Sequence, residues 1–445
     1  MFLMYRSIQI IGVLVLALAG VFGTVNASAL PLRSDEVQNT RLRWRNGPIR
    51  ISLSNSLTRA NPNIRAGSEV AEAIEHSFAA WERAGAPAFE LVWSDRQTVS
   101  ATGNAGDGFS LITISQTPEN LLLFSRDSSD VSARTRVFFN GKGAITEADI
   151  VLNPYQQFST DGAIGTFDLE STLTHEIGHL LGLEHSAVFG ATMHDNYGKN
   201  GVFSLQSFSA RTLSDDDIAS LHGLYGVKDD TENCCGVIAG RVLTSAKPGR
   251  SMRIWAEDAI TGRVSAETGA AVDGGFRLEG LPVGDYRLYV QGTAGSKGAI
   301  PVGNIGQYTV EKGQTVNAVK RIADRPGNTD LKYIGFNGQL SELAVSLNRG
   351  RSYTVHLGGR NLDAGKFGIE VNSPFLSIVQ DSVTSYDYGE GLSVISFEIR
   401  VRPETPLGDY SISIRSESGE KRTIIGGLTI EEFANPWIRS IVTEN

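Results

Sequence analysis

Cysteine is nearly absent: the 445 residues hold two, Cys234 and Cys235, and these are neighbours. A trans peptide keeps adjacent Cα atoms about 3.8 Å apart, below the roughly 4.4–6.8 Å of a relaxed disulfide, so a bond between them would be strained. Disulfides therefore do not staple this fold. The pair is expected to be linker thiols or an intermolecular contact, with a strained vicinal disulfide as the alternative. Runs of Lys and Arg are missing too, and the net charge is −9, which argues against nucleic acid or an anionic membrane surface as partner. Long apolar runs are missing except at the N-terminus, where one extends from Ile8 to about Phe22, after Arg6 and before Ala27-Ser28-Ala29. That order reads as a secretory signal peptide over residues 1–29, because the run falls short of the ~20 residues of a spanning helix. An uncleaved anchor is the rival. The mature chain is expected to be exported, extracellular or periplasmic, and to cross no membrane.

What is present is the composition of a folded protein, and 445 residues exceed one ordinary core, so three domains are expected. "PIRISLSNS" alternates Ile49, Ile51 and Leu53 as a strand does, and "SEVAEAIEHSFAAWERAG" places Val70, Ile74, Phe78 and Trp81 at helical spacing. His76 lies off that stripe and reads as a solvated surface residue. "FELVW" alternates again, and further strands are expected at Ser110–Ser115, Arg134–Asn140 and Asp149–Asn153. Leu169 to Leu181 is apolar at helical spacing and should stop at Gly182. "LSDDDIASLHGLYG" reads as a last helix, with Ser214 as N-cap and acids in its first turn to complement the helix dipole. Beyond a polar linker at 228–235 no convincing helix remains, only short alternating runs separated by glycine, which signal β-sandwiches over 236–323 and 329–431, then a tail at 432–445. His356, inside one of those strands, reads as structural.

The segment "THEIGHLLGLEHSAVFGATMHDNY" holds four of the seven histidines. His175 and His179, four apart on a helix, lie on one face about 6 Å along the axis and can meet one ion. Zinc accepts three protein ligands plus an open water position at catalytic sites. His185 supplies the third if the chain turns back after the helix, and Gly182 stands where such a turn needs a left-handed residue. Glu176, next to the first ligand, is placed to take a proton from a metal-polarised water. A bare H-E-x-x-H is weak on its own, but with the glycine and third histidine chance agreement falls to roughly one in 10⁵.

His175-Glu176-x-x-His179-x-x-Gly182-x-x-His185 resembles the metzincin zinc motif, with Met193 matching its methionine turn. Ser186 after the third histidine, Met193 eight residues on, Tyr197 four further and "LSDDDIASLHGLYG" resemble the matrixin branch. The tyrosine of astacin-like and serralysin-like enzymes would fall at Asp195. The resemblance covers about residues 40–227 and implies an α+β metzincin (zincin-like) catalytic domain there, which with the two all-β sandwich domains read from the strand pattern makes a multidomain chain. It implies a zinc endopeptidase with one catalytic ion per chain on His175, His179 and His185, Glu176 as general base, and protein or peptide substrates. Substrate would lie extended along the strand "RTRVFFN", and Tyr197 with the segment after Met193 would wall the specificity pocket, although a plain core role for Tyr197 is equally open.

Three departures qualify the resemblance. The animal enzymes bind a second, structural zinc through histidines in the region resembling Ala133–Asn153, which here has none; Val151 stands where one would fall. Calcium on Glu147, Asp149 or Asp161 is an option without support, since isolated surface acids are more often solvated. His194 and Asp195 replace the usual tyrosine and proline after the methionine, so the pocket cannot be carried over; His194 reads as a wall or surface residue, with a fourth metal ligand as the alternative. No propeptide cysteine precedes the domain. "DGGFRLEGLPVGDYRLYV" resembles the carboxypeptidase-regulatory-like sandwiches, and the last segment is loosely similar to immunoglobulin-type or IPT sandwiches. Either could bind a matrix, a cell surface or substrate, or act as a spacer. The competing reading is a secreted adhesion or scaffold protein with a catalytically silent metzincin domain, disfavoured by the intact Glu176 and three histidines.

Overall fold

A computed structural model of the chain describes residues 41–58, 61–101, 106–124, 131–196, 198–204, 211–227, 234–243, 252–292, 301–322, 327 and 329–432. The signal-peptide, linker (228–233) and tail (433–445) expectations, and Tyr197, lie outside the described residues.

The first unit is a sheet covered by helices. Its strands are β1 (Ile49–Ser54), β2 (Phe89–Ser94), β3 (Ser110–Thr113), β4 (Ala133–Phe139) and β5 (Ile145–Leu152), in the order β2-β1-β3-β5-β4. All neighbours are parallel except β4, which runs antiparallel to β5 and forms one edge. The helices are α1 (Val70–Arg83), a single turn α2 (Pro118–Leu121), α3 (Leu169–Leu181) and α4 (Asp215–Tyr225). A short parallel pair, β6 (Phe158–Ser159) and β7 (Phe167–Asp168), leads into α3. The apolar stripe of α1 buries Ile74, Phe78 and Trp81 against β1 and against Leu173, Ile177 and Leu180 of α3. Each such side chain contributes roughly 1.5–3 kcal/mol by leaving water. Trp81 Nε1 donates to the Thr174 carbonyl at 2.7 Å, which fixes the register of α1 against α3. His76 is exposed, with Nδ1 3.6 Å from Glu170.

Strand β5 begins four residues before the expected Asp149, because a turn closed by Gly143 N–H on the Asn140 carbonyl folds residues 145–148 back onto β4 as a hairpin. The polar Thr146, Glu147 and Asp149 hide this from an apolar count.

Two pairs of sheets follow. The first contains β8 (Cys234–Leu243), β9 (Met252–Asp258), β10 (Val264–Gly269), β11 (Gly275–Pro282), β12 (Gly284–Gly292), β13 (Gly303–Val310) and β14 (Thr315–Arg321), in sheets β10-β9-β12-β13 and β11-β8-β14. Ile238, Ile254, Leu288 and Val290 fill the space between them. The second contains β15 (Asp330–Phe336), β16 (Gln339–Ser341), β17 (Val345–Asn348), β18 (Ser352–Arg360), β19 (Phe367–Val371), β20 (Leu376–Asp387), β21 (Ser393–Val401), β22 (Gly408–Ser416) and β23 (Lys421–Glu431), in sheets β16-β15-β18-β21-β20 and β17-β23-β22-β19. His356 is held there by Ser396, Nδ1 to Oγ at 2.7 Å. Phe203 of the first unit is fully buried in this last core, and Ala219 of α4 in the preceding one, so the units interlock. No helix among the described residues is long and apolar enough to cross a membrane.

Cys234 and Cys235 are joined as a vicinal disulfide across a cis peptide. The sequence favours free thiols on the assumption of a trans peptide, and the structure replaces that expectation with the bonded pair.

Candidate metal centre

Helix α3 carries the first two histidines. Asp168 caps its N-terminus by accepting Ser171 N–H, and Gly182 ends it at φ 98°, where a Cβ would run into the Leu42 carbonyl oxygen. The reversal at Gly182 returns the chain so that His185 faces His175 and His179. Ligand atoms of the three rings lie within 4.8 Å of one another, with His179 Nε2 and His185 Nε2 3.0 Å apart. His175 Nδ1 lies 2.7 Å from the Thr192 carbonyl and His179 Nδ1 2.9 Å from the Leu183 carbonyl. A carbonyl only accepts, so both Nδ1 atoms carry the proton and both Nε2 atoms present lone pairs. This is how second partners orient metal-binding imidazoles. Burial, reinforced by the neighbouring rings, holds His175 well below the usual histidine range and pushes His185 down to about 4. Neutral, converging imidazoles are what zinc requires, and the donor set fits it.

Glu176 follows on the same helix and is buried. Burial raises its carboxyl, opposed by His179, a hydrogen bond from Thr135 and Arg134. The Thr135 hydroxyl donates to Glu176 Oε2, and Thr135 stands on β4. Sequence spacing does not reveal this contact, since it joins an edge strand to a helix some forty residues on.

Met193 is buried against α3. A Cβ on Gly178 would collide with the Met193 sulfur and with Trp81, so only glycine lets the methionine sit beneath the histidine helix. The Met193 carbonyl accepts Ser186 N–H at 2.8 Å. Asp217 accepts from Thr192 N–H at 2.8 Å and Met193 N–H at 3.0 Å. Asp216 accepts the Ser186 hydroxyl at 2.6 Å. The acids of the first turn of α4, expected only to complement the dipole, thus also hold the loop that carries His185 and Met193.

The later sheets close on the same loop. Ala187 N–H donates to Glu267 at 3.0 Å, and Glu267 N–H reaches Asp216; Phe189 N–H donates to the Ile425 carbonyl at 2.9 Å. His194 is buried with Nδ1 3.2 Å from the Ser186 carbonyl and Nε2 2.9 Å from the Glu342 carbonyl, so it bridges backbone to backbone and is no metal ligand here. The sheets thus hold the loop from His185 to His194 through direct hydrogen bonds.

Glu147 and Asp149 are both 1% exposed, which overturns their reading as solvated surface acids. The hairpin of β4 and β5 buries them beside Arg136, which stands opposite Asp149 in the ladder. Asp149 accepts Ser100 and Leu111 N–H groups at 3.0 Å each, yet burial pushes it up to about 8. Asp161 is exposed, 3.6 Å from Arg65.

Residues 127–226 match the family model described as Matrixin. Matrix metalloproteinase-2 of Drosophila melanogaster is 28% identical over 176 residues, 38% of this chain and 20% of its own length. Neutrophil collagenase of Homo sapiens is 29% identical over 162 residues, 34% and 29% of the two chains, and matrilysin of Mus musculus 38% over 73 residues, 16% and 25%. The chain thus spans between a fifth and under a third of these relatives. Among solved structures, the SGBP-B protein of a Bacteroides ovatus mixed-linkage glucan utilization locus aligns over 43% of this chain and 42% of its own, at 14% identity and a TM-score of 0.16, too low to argue from. Matrixins are zinc-dependent, and residues 127–226 of this longer chain are similar to that family.

Proposed function

We propose that the chain is an exported zinc-dependent endopeptidase whose protease unit spans about residues 40–227. The observation that carries this reading is the convergence of His175, His179 and His185 beside the buried carboxylate of Glu176. The three Nε2 atoms would hold zinc, which when bound acts as a Lewis acid that makes a water nucleophilic near neutral pH. Glu176 serves as general base: Thr135 occupies Oε2, which leaves Oε1 to take a proton from water and deliver it to the leaving amine nitrogen. Thr135 positions that carboxylate, and Met193 supports the histidine helix from below. Strand β4, an edge of its sheet, offers backbone groups to an extended peptide, so affinity would come with little sequence preference. Tyr197 and the segment after Met193 would wall the specificity pocket. The sheets over 236–323 and 329–431 are assigned as carboxypeptidase-regulatory-like and immunoglobulin/IPT-like sandwiches on sequence resemblance.

The test is zinc content and cleavage of denatured protein by the chain beginning at Leu30, beside Glu176→Ala. One zinc in each and cleavage by the wild type alone is expected. Zinc in both and cleavage by neither, across varied substrates and with added calcium, would move a scaffold role ahead.

A further inference from the structure

A second cluster of metal-ligating side chains lies away from the three histidines. His222, Cys234 and Cys235 each offer an atom within 4.8 Å of the others. His222 stands in the last turn of α4 and the cysteines open β8, so the cluster sits where the first unit meets the next pair of sheets. Each sulfur is 3.6 Å from His222 Nδ1. The other ring nitrogen, Nε2, is 2.9 Å from the carbonyl of Ala84, the residue that caps the end of α1. Because that carbonyl can only accept, Nε2 holds the proton and Nδ1 turns its lone pair to the sulfurs. A backbone acceptor behind the ring is the same device that orients His175 and His179. All three side chains are half-buried, so an ion can arrive from solvent.

We propose that reduction of the Cys234–Cys235 bond opens a site for one zinc-like soft cation, held by two thiolates and His222 Nδ1. Two sulfurs and one imidazole form a donor set that favours such ions over calcium or magnesium. The bond is opened by two equivalents of a small thiol: two electrons and two protons pass to the cysteine sulfurs, and the reductant leaves as its own disulfide. Metal binding then displaces the two thiol protons to solvent. The two states differ in what they tie together. A disulfide between adjacent residues closes no length of chain. An ion shared by residues 222, 234 and 235 fastens α4 to β8 and so links the protease unit to the sheets beyond it.

The test uses the full chain, left oxidised or reduced with a phosphine under argon and freed of reductant, then loaded with zinc(II) or with cobalt(II) as a spectroscopic probe. Reduction is expected to add one ion per chain and a thiolate-to-cobalt charge-transfer band, and the Cys234→Ser/Cys235→Ser variant to show neither. His222→Ala should weaken the added site by at least tenfold. The proposal is overturned by an unchanged ion count on reduction, by an added ion that survives in the double-serine variant, or by wild-type affinity in His222→Ala. The readout is the increment, so an empty three-histidine centre would alter the baseline and leave this test standing.

Discussion

The carboxylate of Asp217 accepts the backbone N–H of Met193, with Oδ1 3.0 Å from the nitrogen. Its other oxygen accepts Thr192 N–H, and the Thr192 carbonyl in turn receives Nδ1–H of His175. One helix-capping residue is therefore two hydrogen bonds from a metal-facing ring. Asp217→Asn turns an amide NH2 toward donors that need an acceptor. Zinc affinity, read by competition with a chelator, should fall about 10–100-fold, the usual cost of losing an outer partner. Wild-type zinc affinity with only a lowered Tm would confine Asp217 to its cap.

Thr135 holds Glu176 from across the sheet edge, and it touches none of the three histidines in the described contacts. Thr135→Val should lower kcat/KM by roughly 10-fold or more, since general-base catalysis contributes about 10²–10⁴-fold and depends on placement. Zinc content should stay at the wild-type level, and Thr135→Ser should recover most of the rate. Equal losses in the valine and serine variants would show that packing, rather than the hydroxyl, is what matters there.

Local chemistry made much of this readable in sequence. Helix α3 runs from Leu169 to Leu181 because its capping Asp168 and its terminal Gly182 are local signals, and the reversal at Gly182 is what brings His185 to the other two rings. What escaped was long-range. Glu147 and Asp149 look like surface acids because their burial depends on a hairpin and on Arg136 opposite. Asp216 and Asp217 look like dipole complements because their partners at residues 186, 192 and 193 lie across the fold. The grip of the later sheets on Ala187, Phe189 and His194 involves mainly backbone groups, which carry no residue signature.

Gly178 sets two effects against each other. Alanine is the better helix former by about 1 kcal/mol. Its methyl, however, would meet the Met193 sulfur and the Trp81 ring, both buried with little room to move. Overpacking of a filled core costs about 1–3 kcal/mol, so the steric term should win. Gly178→Ala should lower the chemical-denaturation midpoint, and zinc should be lost earlier in the same titration. A raised midpoint would mean that the methionine side chain relaxes freely.

Asp409, on β22, is buried against the loop at Gly190 and receives the Thr429 hydroxyl at 2.7 Å. Burial pushes its carboxyl from 3.8 up to about 7, with Thr429 opposing and the like charges of Asp217, Asp215 and Glu431 adding to the rise. A carboxyl raised in the folded state binds its proton more tightly there than in the unfolded chain. Below the unfolded value both states are protonated and the group is neutral to stability. As pH climbs from about 4 to about 7 the unfolded state ionises first, so stability declines, and above that window the loss is constant. Its size is on the order of 2–4 kcal/mol. Asp409→Asn should therefore match the wild type near pH 4 and melt at a higher temperature at pH 8, the gap opening across that interval. Glu431, also pushed up by burial to about 7, keeps part of the slope in the variant. A constant gap at every pH would show that Asp409 is ionised in the folded protein throughout.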